Sequence, residues 1–174
     1  MPEGIRAPSG PKLHARLTAD PLSLDALAAL VKSPHAGALV TFQGTTRSVA
    51  RLEYESYTEM AAERIATIVA EVADRYRLEG AAAEHRVGSV PLGESSVIVA
   101  ASAAHRGEAF AGARELIDRI KAEAPIWKRE IRAELGATGG QGIRGEPLSP
   151  EGQSHWVAGE PPGANPLAAA ELSD

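Results

Sequence analysis

The 174-residue chain contains no cysteine. Disulfides, thiolate metal sites and cysteine nucleophiles are excluded together. If this protein handles sulfur, the sulfur arrives on another molecule. Long apolar runs are missing as well. Stretches such as Val97–Ala101 fall far short of the roughly 20 residues that span a bilayer. Met1, Pro2, Glu3 and Gly4 lack the basic-then-apolar pattern of a secretory signal, so a cytoplasmic, non-membrane location is expected. Positive charge is not in excess. A net charge of -5 argues against a nucleic-acid binder, which usually carries a basic footprint. Any anion site must concentrate positive charge locally. Lysine is scarce: among 18 basic residues the only lysines are Lys12, Lys32, Lys121 and Lys128. His14, His35, His85 and His155 are scattered without metal-ligand spacing, so neither a metal nor a cofactor is expected.

What is present suits one soluble domain. Hydrophobic residues make up 44% and charged residues 24%, enough apolar side chain for a real core. Residues 1–10 are Pro- and Gly-rich and read as a loose arm, 11–158 as the domain, and 159–174 as a disordered tail. Strands are expected at Lys12–Leu17, Ala38–Phe42, Leu52–Tyr57, Ala83–Val87, Ser95–Ala101, Trp127–Ala133 and His155–Val157. A short helix is expected over Leu22–Val31, with Ser23 or Asp25 near its start. Glu59–Arg77 is the clearest helix, with Ala61, Ile65, Ile68, Val69, Val72 and Tyr76 on one stripe. Gly107–Ala122 is a second long one, with Phe110, Ala113, Ile117 and Ile120 inward and Pro125 ending it. Strands and helices mix without strict alternation, which predicts α+β. Gly136, Gly139, Gly140, Gly142, Gly145 and Gly152 mark a flexible loop over 135–153. Gly140–Gly145 matches GxGxxG, but Pro147 and Pro150 follow it instead of a helix, so the dinucleotide reading fails.

Three groups of residues suit anion chemistry. Lys121 ends the second long helix and Lys128 follows the Pro125 turn, so a chain reversal brings both ammonium groups to one pocket. A lysine beside another cation can act as acid, base or nucleophile near neutral pH, which arginine cannot. The plain alternative is a helix-end lysine and a solvated strand lysine. His105 and Arg106 open that helix, with Ser102 as a nearby N-cap, and a helix N-terminus with a cation suits phosphate or carboxylate. Alternatively they form an ordinary surface pair. Thr45, Thr46 and Arg47 follow Gly44 in a turn whose N–H groups, hydroxyls and guanidinium fit an oxyanion, or which is merely polar. Trp127 and Trp156 read as packing residues rather than a stacking platform.

Together these segments resemble one family. GALVTFQGTTR (37–47), LEYESYTEM (52–60), HRVG (85–88), SAAHRGEAF (102–110) and DRIKAEAPIWKRE (118–130) occur in the order found in large, catalytic subunits of molybdopterin synthase. The resemblance covers roughly 12–132 and resumes near 150–157. It implies an α/β-hammerhead-like mixed sheet packed with two long helices. It implies a homodimer of large subunits, each bound to a small ubiquitin-like sulfur carrier with a C-terminal Gly-Gly thiocarboxylate, hence a heterotetramer. The implied reaction is sulfur transfer to cyclic pyranopterin monophosphate, forming the molybdopterin dithiolene. The implied substrate contacts are Thr45, Thr46, Arg47, His105, Arg106, Lys121, Lys128, Arg129 and Glu130. The resemblance implies that Lys121 and Lys128 are the catalytic pair, which would orient the thiocarboxylate and move protons as sulfur attacks. Arg47, His105 and Arg106 would hold the cyclic phosphate. The chain departs from the family pattern in a shorter stretch from Arg47 to Leu52, in extra residues over 135–149, and in a tail without Lys or Arg. The short stretch leaves one alternative: a non-catalytic carrier-binding module of the same fold. A phosphate-ester transferase using the same cationic pocket is a third reading.

Overall fold

A computed structural model of the chain describes residues 10–131 and the backbone of 156–157. Of the arm expected over 1–10 only Gly10 is described, and the Gly-rich stretch and the C-terminal tail lie outside the described residues. The elements run β1 (Lys12–Thr18), α1 (Leu24–Leu30), β2 (Ala38–Thr45), β3 (Arg51–Ser56), α2 (Thr58–Arg75), β4 (Gly80–Arg86), β5 (Gly88–Pro91), β6 (Ser95–Ala103), α3 (Arg106–Glu123), β7 (Ile126–Ile131) and β8 (Trp156–Val157). The class is α+β.

The strands divide into two four-stranded sheets. The first has the order β1-β4-β6-β2 and is mixed: β1 runs parallel to β4, and the other pairs are antiparallel. The second has the order β5-β3-β7-β8 and is antiparallel throughout. The first sheet is covered on both faces. Ala81, Ala83, Val97, Val99 and Ala101 meet α2 and α3, while Ala82, Ile98 and Ala100 meet Leu27 and Val31 at α1. Alternate residues of β4 and β6 thus serve different layers, as the period of two requires. Serving two layers at once explains why β4 is rich in alanine and buried along its length.

Helix α2 buries Ala61, Ile65, Ile68, Val69 and Val72, the stripe its spacing predicts. Each of the larger side chains stabilises by about 1.5–3 kcal/mol on leaving water. Ser23 caps α1 by accepting from the Ala26 N–H. Two expectations for α3 need correction. Its buried face is Ala109, Gly112, Ala113, Leu116, Ile117 and Ile120. Phe110 sits about 100° round the helix from Ala109 and is 62% exposed. Ser102 does not cap α3: its hydroxyl donates to the Val31 carbonyl at 2.6 Å, and His105 takes the N-cap position without a side-chain cap bond. Gly112 is required by close approach, because a Cβ there would lie 2.9 Å from a Leu78 methyl. Arg119 of α3 reaches Glu71 of α2 at 2.6 Å, and Arg64–Glu123 and Arg75–Glu115 pair across the same seam. Such partly exposed pairs fix helix register more than they stabilise.

Strand β5 is not among the strands expected from the sequence. It lies at a sheet edge, where proline needs no ladder partner for a missing N–H.

Candidate functional site

Helix α3 delivers Lys121 in its last turn, directly after the buried Ile120. The chain then leaves the helix. Ala124 is extended, its N–H still donating to the Ile120 carbonyl at 3.1 Å. Pro125 follows, and its carbonyl accepts from the Tyr57 N–H at 3.3 Å. This contact ties the reversal to the start of α2, and β7 begins at once. On β7, Lys128 lies directly opposite Tyr54 of β3, Arg129 opposite Glu53, and Glu130 opposite Leu52.

Directly opposed residues share a face. Lys128 and Glu130 therefore stand on the face of Tyr54 and Leu52, and Arg129 stands on the other. All three β7 residues are half-buried. The Tyr54 ring meets the His85 ring edge-on, with centroids 5.1 Å apart. His85 belongs to β4 of the other sheet and lies opposite Val97, on the face covered by α2 and α3. Lys121, at the end of α3, stands over β2. Its Nζ lies 5.8 Å from the centroid of Phe42 on β2, and its charge is felt by the His85 ring. Lys128 thus shares a face with half-buried Tyr54, whose ring meets buried His85, and the Lys121 charge bears on that His85 ring.

The electrostatics of that pair follow from burial. His85 is held at a pKa of about 4, first by loss of hydration, opposed by the hydrogen bond to the Arg86 carbonyl, with the Lys121 charge lowering it further. Burial pushes the Tyr54 phenol up, against a hydrogen bond from Ser96 that lowers it. At neutral pH both groups are therefore uncharged.

The turn after β2 is only partly open. Thr45 and Arg47 are exposed, but Thr46 is 2% exposed. The backbone of Thr46 bridges to the β5–β6 turn, donating to the Glu94 carbonyl at 2.9 Å and accepting from the Gly93 N–H at 2.8 Å. Its hydroxyl oxygen is buried without a hydrogen-bond partner among the described residues. Thr46 therefore pins the turn and is closed to a ligand in this conformation. Ser48, two residues on, holds φ at 63°, the left-handed region.

His105 and Arg106 are exposed, and one copy of the chain does not bring them to the lysines. They open α3 and Lys121 closes it, fifteen residues on, or about 22 Å at 1.5 Å per residue. The sheet gives the same answer. Ala38 of β2 pairs with Ala103 near His105, whereas Thr45 pairs with Ser95 at the opposite end. A surface depression of about 540 Å³, lined by Lys32, Ser33, Gly37, Leu39 and Ser102, lies at the His105 end, away from the lysines. Among the described residues no group of three or more His, Asp or Glu is placed to hold a metal. No described helix is long and apolar enough to cross a membrane.

Sequence reasoning did not single out Tyr54, His85 or Phe42. Their one signal was membership of the motif segments LEYESY, HRVG and TFQGTTR.

Residues 17–123 match the MoaE protein family. Among similar proteins, the molybdopterin synthase catalytic subunit of Oryza sativa subsp. indica is 47% identical over 107 residues, covering 58% of this chain and 55% of that protein. The chain thus spans about half the length of the rice relative. The molybdopterin synthase catalytic subunit of Thermoplasma volcanium is also 47% identical over 107 residues, covering 58% of this chain and 78% of that protein. The crystal structure of molybdopterin synthase from Staphylococcus aureus superposes with a TM-score of 0.68 at 27% identity, covering 82% of this chain and 96% of that one.

Proposed function

The chain belongs to the MoaE protein family, and from that premise we propose that it is the catalytic subunit of a molybdopterin synthase. In this reading it acts in the cytoplasm on cyclic pyranopterin monophosphate. It transfers sulfur from the thiocarboxylated C-terminus of a small ubiquitin-like carrier to build the dithiolene. The observation that carries the reading is the convergence of Lys121 and Lys128 on the Tyr54–His85 pair. Two of the chain's four lysines thus bear on one pair of rings, from elements, α3 and β7, that belong to different layers.

The chemistry asks for cations there. A thiocarboxylate is anionic, and so is the carboxylate left after its sulfur has moved. Lys121 and Lys128 supply charge to steer the carrier tail in, and protons for the groups that develop charge as sulfur attacks. The nucleophilic sulfur comes with the carrier, consistent with a chain that has no thiol of its own. Arg47, exposed on the turn beyond β2, is one clamp for the phosphate, with Thr45 beside it. Glu130 continues the Lys128 face along β7, and Arg129 borders the substrate from the other face of that strand.

His105 and Arg106 enter this site from a second copy. β2 is an edge strand, and Leu39, Phe42 and, on α3, Phe110 are exposed apolar residues beside it. An exposed apolar edge is a template for pairing. Two β2 strands meeting about a two-fold axis run antiparallel, so the Ala38 end of one lies against the Thr45 end of the other. That arrangement carries His105 and Arg106 of the second copy toward Arg47 and Lys121. The working assembly is then a homodimer of these chains with one carrier on each.

Reconstitution tests the reading. The purified chain, thiocarboxylated carrier and cyclic pyranopterin monophosphate should yield the dithiolene product. Carrier binding without product would instead favour a docking module, and turnover without any carrier would favour a phosphate-ester transferase.

A further inference from the structure

Arg86, the last residue of β4, carries a buried guanidinium that the reaction above does not use; its side chain is 7% exposed. Among the described residues its one ion partner is the carboxylate of Glu94, on the turn between β5 and β6. One terminal nitrogen donates to that carboxylate and the other to the Ser89 carbonyl at 3.3 Å, while Nε is buried without an acceptor among the described residues. A buried charge persists only where it is paired, so the guanidinium holds Glu94, and the turn with it. The main chain of that turn grips the segment beyond β2 at two points. At one, the Thr46 N–H donates to the Glu94 carbonyl at 2.9 Å and the Gly93 N–H to the Thr46 carbonyl at 2.8 Å. At the other, the Leu92 N–H donates to the Ala50 carbonyl at 3.0 Å. Only Arg47, Ser48 and Val49 lie between the grips. The Ala50 N–H also donates to the Ile131 carbonyl at 3.0 Å, which joins the segment to β7, the strand of Lys128.

We propose that Arg86 is a positioning residue for Arg47: by holding Glu94 it sets the β5–β6 turn, which clasps the backbone on either side of Arg47 and fixes the base from which that guanidinium reaches the substrate's phosphate. The inference rests on the reading of Arg47 as a phosphate clamp and adds to it. Arg47 is exposed, and ordering a free side chain and its loop at the moment of binding weakens binding. A backbone already held at Thr46 and Ala50 leaves less to order. The planar fork of arginine suits the task, because it serves Ser89 and Glu94 at once in a fixed geometry, which a single ammonium does not.

Two measurements test this. The first is calorimetric titration of the assembled synthase with cyclic pyranopterin monophosphate, using carrier without its sulfur so that no turnover follows. Arg86→Met releases Glu94, whose side chain is 45% exposed and can hydrate. It should weaken pterin binding about tenfold, the cost of ordering one or two freed side chains. In an Arg47→Ala background the same substitution should change binding by less than about twofold, because nothing is left to position. Pterin binding within about twofold of the parent, or equal weakening in both backgrounds, would overturn the positioning role; a residue that merely supports the fold gives the second result. Should Arg86→Met fail to fold, Glu94→Gln, which keeps an acceptor but removes the counter-charge, takes its place with the same expected directions. The second measurement is amide exchange in the full chain. Arg86→Met should speed exchange of the Thr46 and Gly93 N–H groups about tenfold while Val99 in the core of β6 keeps its rate. Unchanged exchange at Thr46 and Gly93 would overturn the clasp. If Arg47→Ala alone leaves pterin binding intact, the phosphate-clamp reading fails and the positioning role fails with it, while exchange still decides whether Arg86 holds the turn. A parent that binds pterin yet makes no dithiolene overturns the sulfur-transfer reading and leaves both measurements decisive.

Discussion

Lys121 at the end of α3 holds its ammonium 5.8 Å from the centre of the Phe42 ring on edge strand β2. At an exposed site such a contact stabilises by about 0.5–1 kcal/mol. That is enough to bias the side chain over β2 but too little to matter for the fold. Lys121→Ala should therefore abolish dithiolene formation and move the thermal midpoint by no more than about 2 °C, the small effect of an exposed substitution. Lys121→Arg keeps a cation over the ring but loses a proton that can leave near neutral pH. Its turnover should stay far closer to that of the alanine variant than to the parent. Near-normal product from either variant removes Lys121 from the proton-moving step.

The length of α3 gives a second prediction. If His105 of one copy serves Lys121 of another, two inactive variants should repair each other. A mixture of Lys121→Ala and His105→Ala chains, unfolded and reassembled together, forms mixed dimers with one intact site each. Statistical pairing should restore about a quarter of the parent activity. No recovery, with mixed dimers verified by mass, would place the whole site within a single chain and contradict the shared arrangement.

Stability should also report the buried imidazole. His85 has a folded pKa of about 4, below the 6.5 of an unperturbed histidine. Between those values the unfolded chain binds a proton that the folded chain does not, so acidification favours unfolding. The contribution is complete above pH 6.5 and is lost progressively down to about pH 4. At 1.36 kcal/mol per pH unit it amounts to about 3 kcal/mol. Denaturant melts at a series of pH values should show the parent losing stability through this window relative to His85→Gln. Parallel curves for the two proteins would mean that the imidazole is hydrated after all.

Legibility in the sequence followed the range of the interactions. The stripe of α2 was visible because each of its members repeats within one helix, and the structure buries Ala61, Ile65, Ile68, Val69 and Val72 as the spacing demands. The reversal between Lys121 and Lys128 was visible because Pro125 cannot continue a helix. Tyr54 and His85 were not visible. Their importance depends on β3 pairing with β7 and on β4 presenting one face to α3, which no local pattern encodes. Phe110 misled for a related reason: the four-residue spacing of α3 fits two overlapping stripes, and only the position of the first sheet selects the one through Ala109 and Leu116. β5 was hidden by Gly88 and Pro91, which an edge strand tolerates. The turn proposed to bind substrate is only half open. Thr45 and Arg47 are open, whereas Thr46 spends its backbone on the β5–β6 turn.

The end of α2 offers a stability gain at a site remote from the lysines. Arg77 sits one residue past the C-cap with φ at 49°. The Leu78 N–H donates to the Ala73 carbonyl at 2.9 Å and the Arg77 N–H to the Asp74 carbonyl at 3.2 Å, the paired bonds of a Schellman motif. Buried Leu78 then packs into the core beside Val72 and Ala73. This motif usually places glycine where Arg77 stands, because a Cβ in the left-handed region costs roughly 1–2 kcal/mol. Arg77→Gly removes that strain but adds freedom to the unfolded chain, and the net gain should be about 0.5–1 kcal/mol. Thermal unfolding should show the midpoint rising by a few degrees with turnover unchanged. A fall in the midpoint would mean that the Arg77 side chain contributes more to the fold than the strain of its backbone takes away.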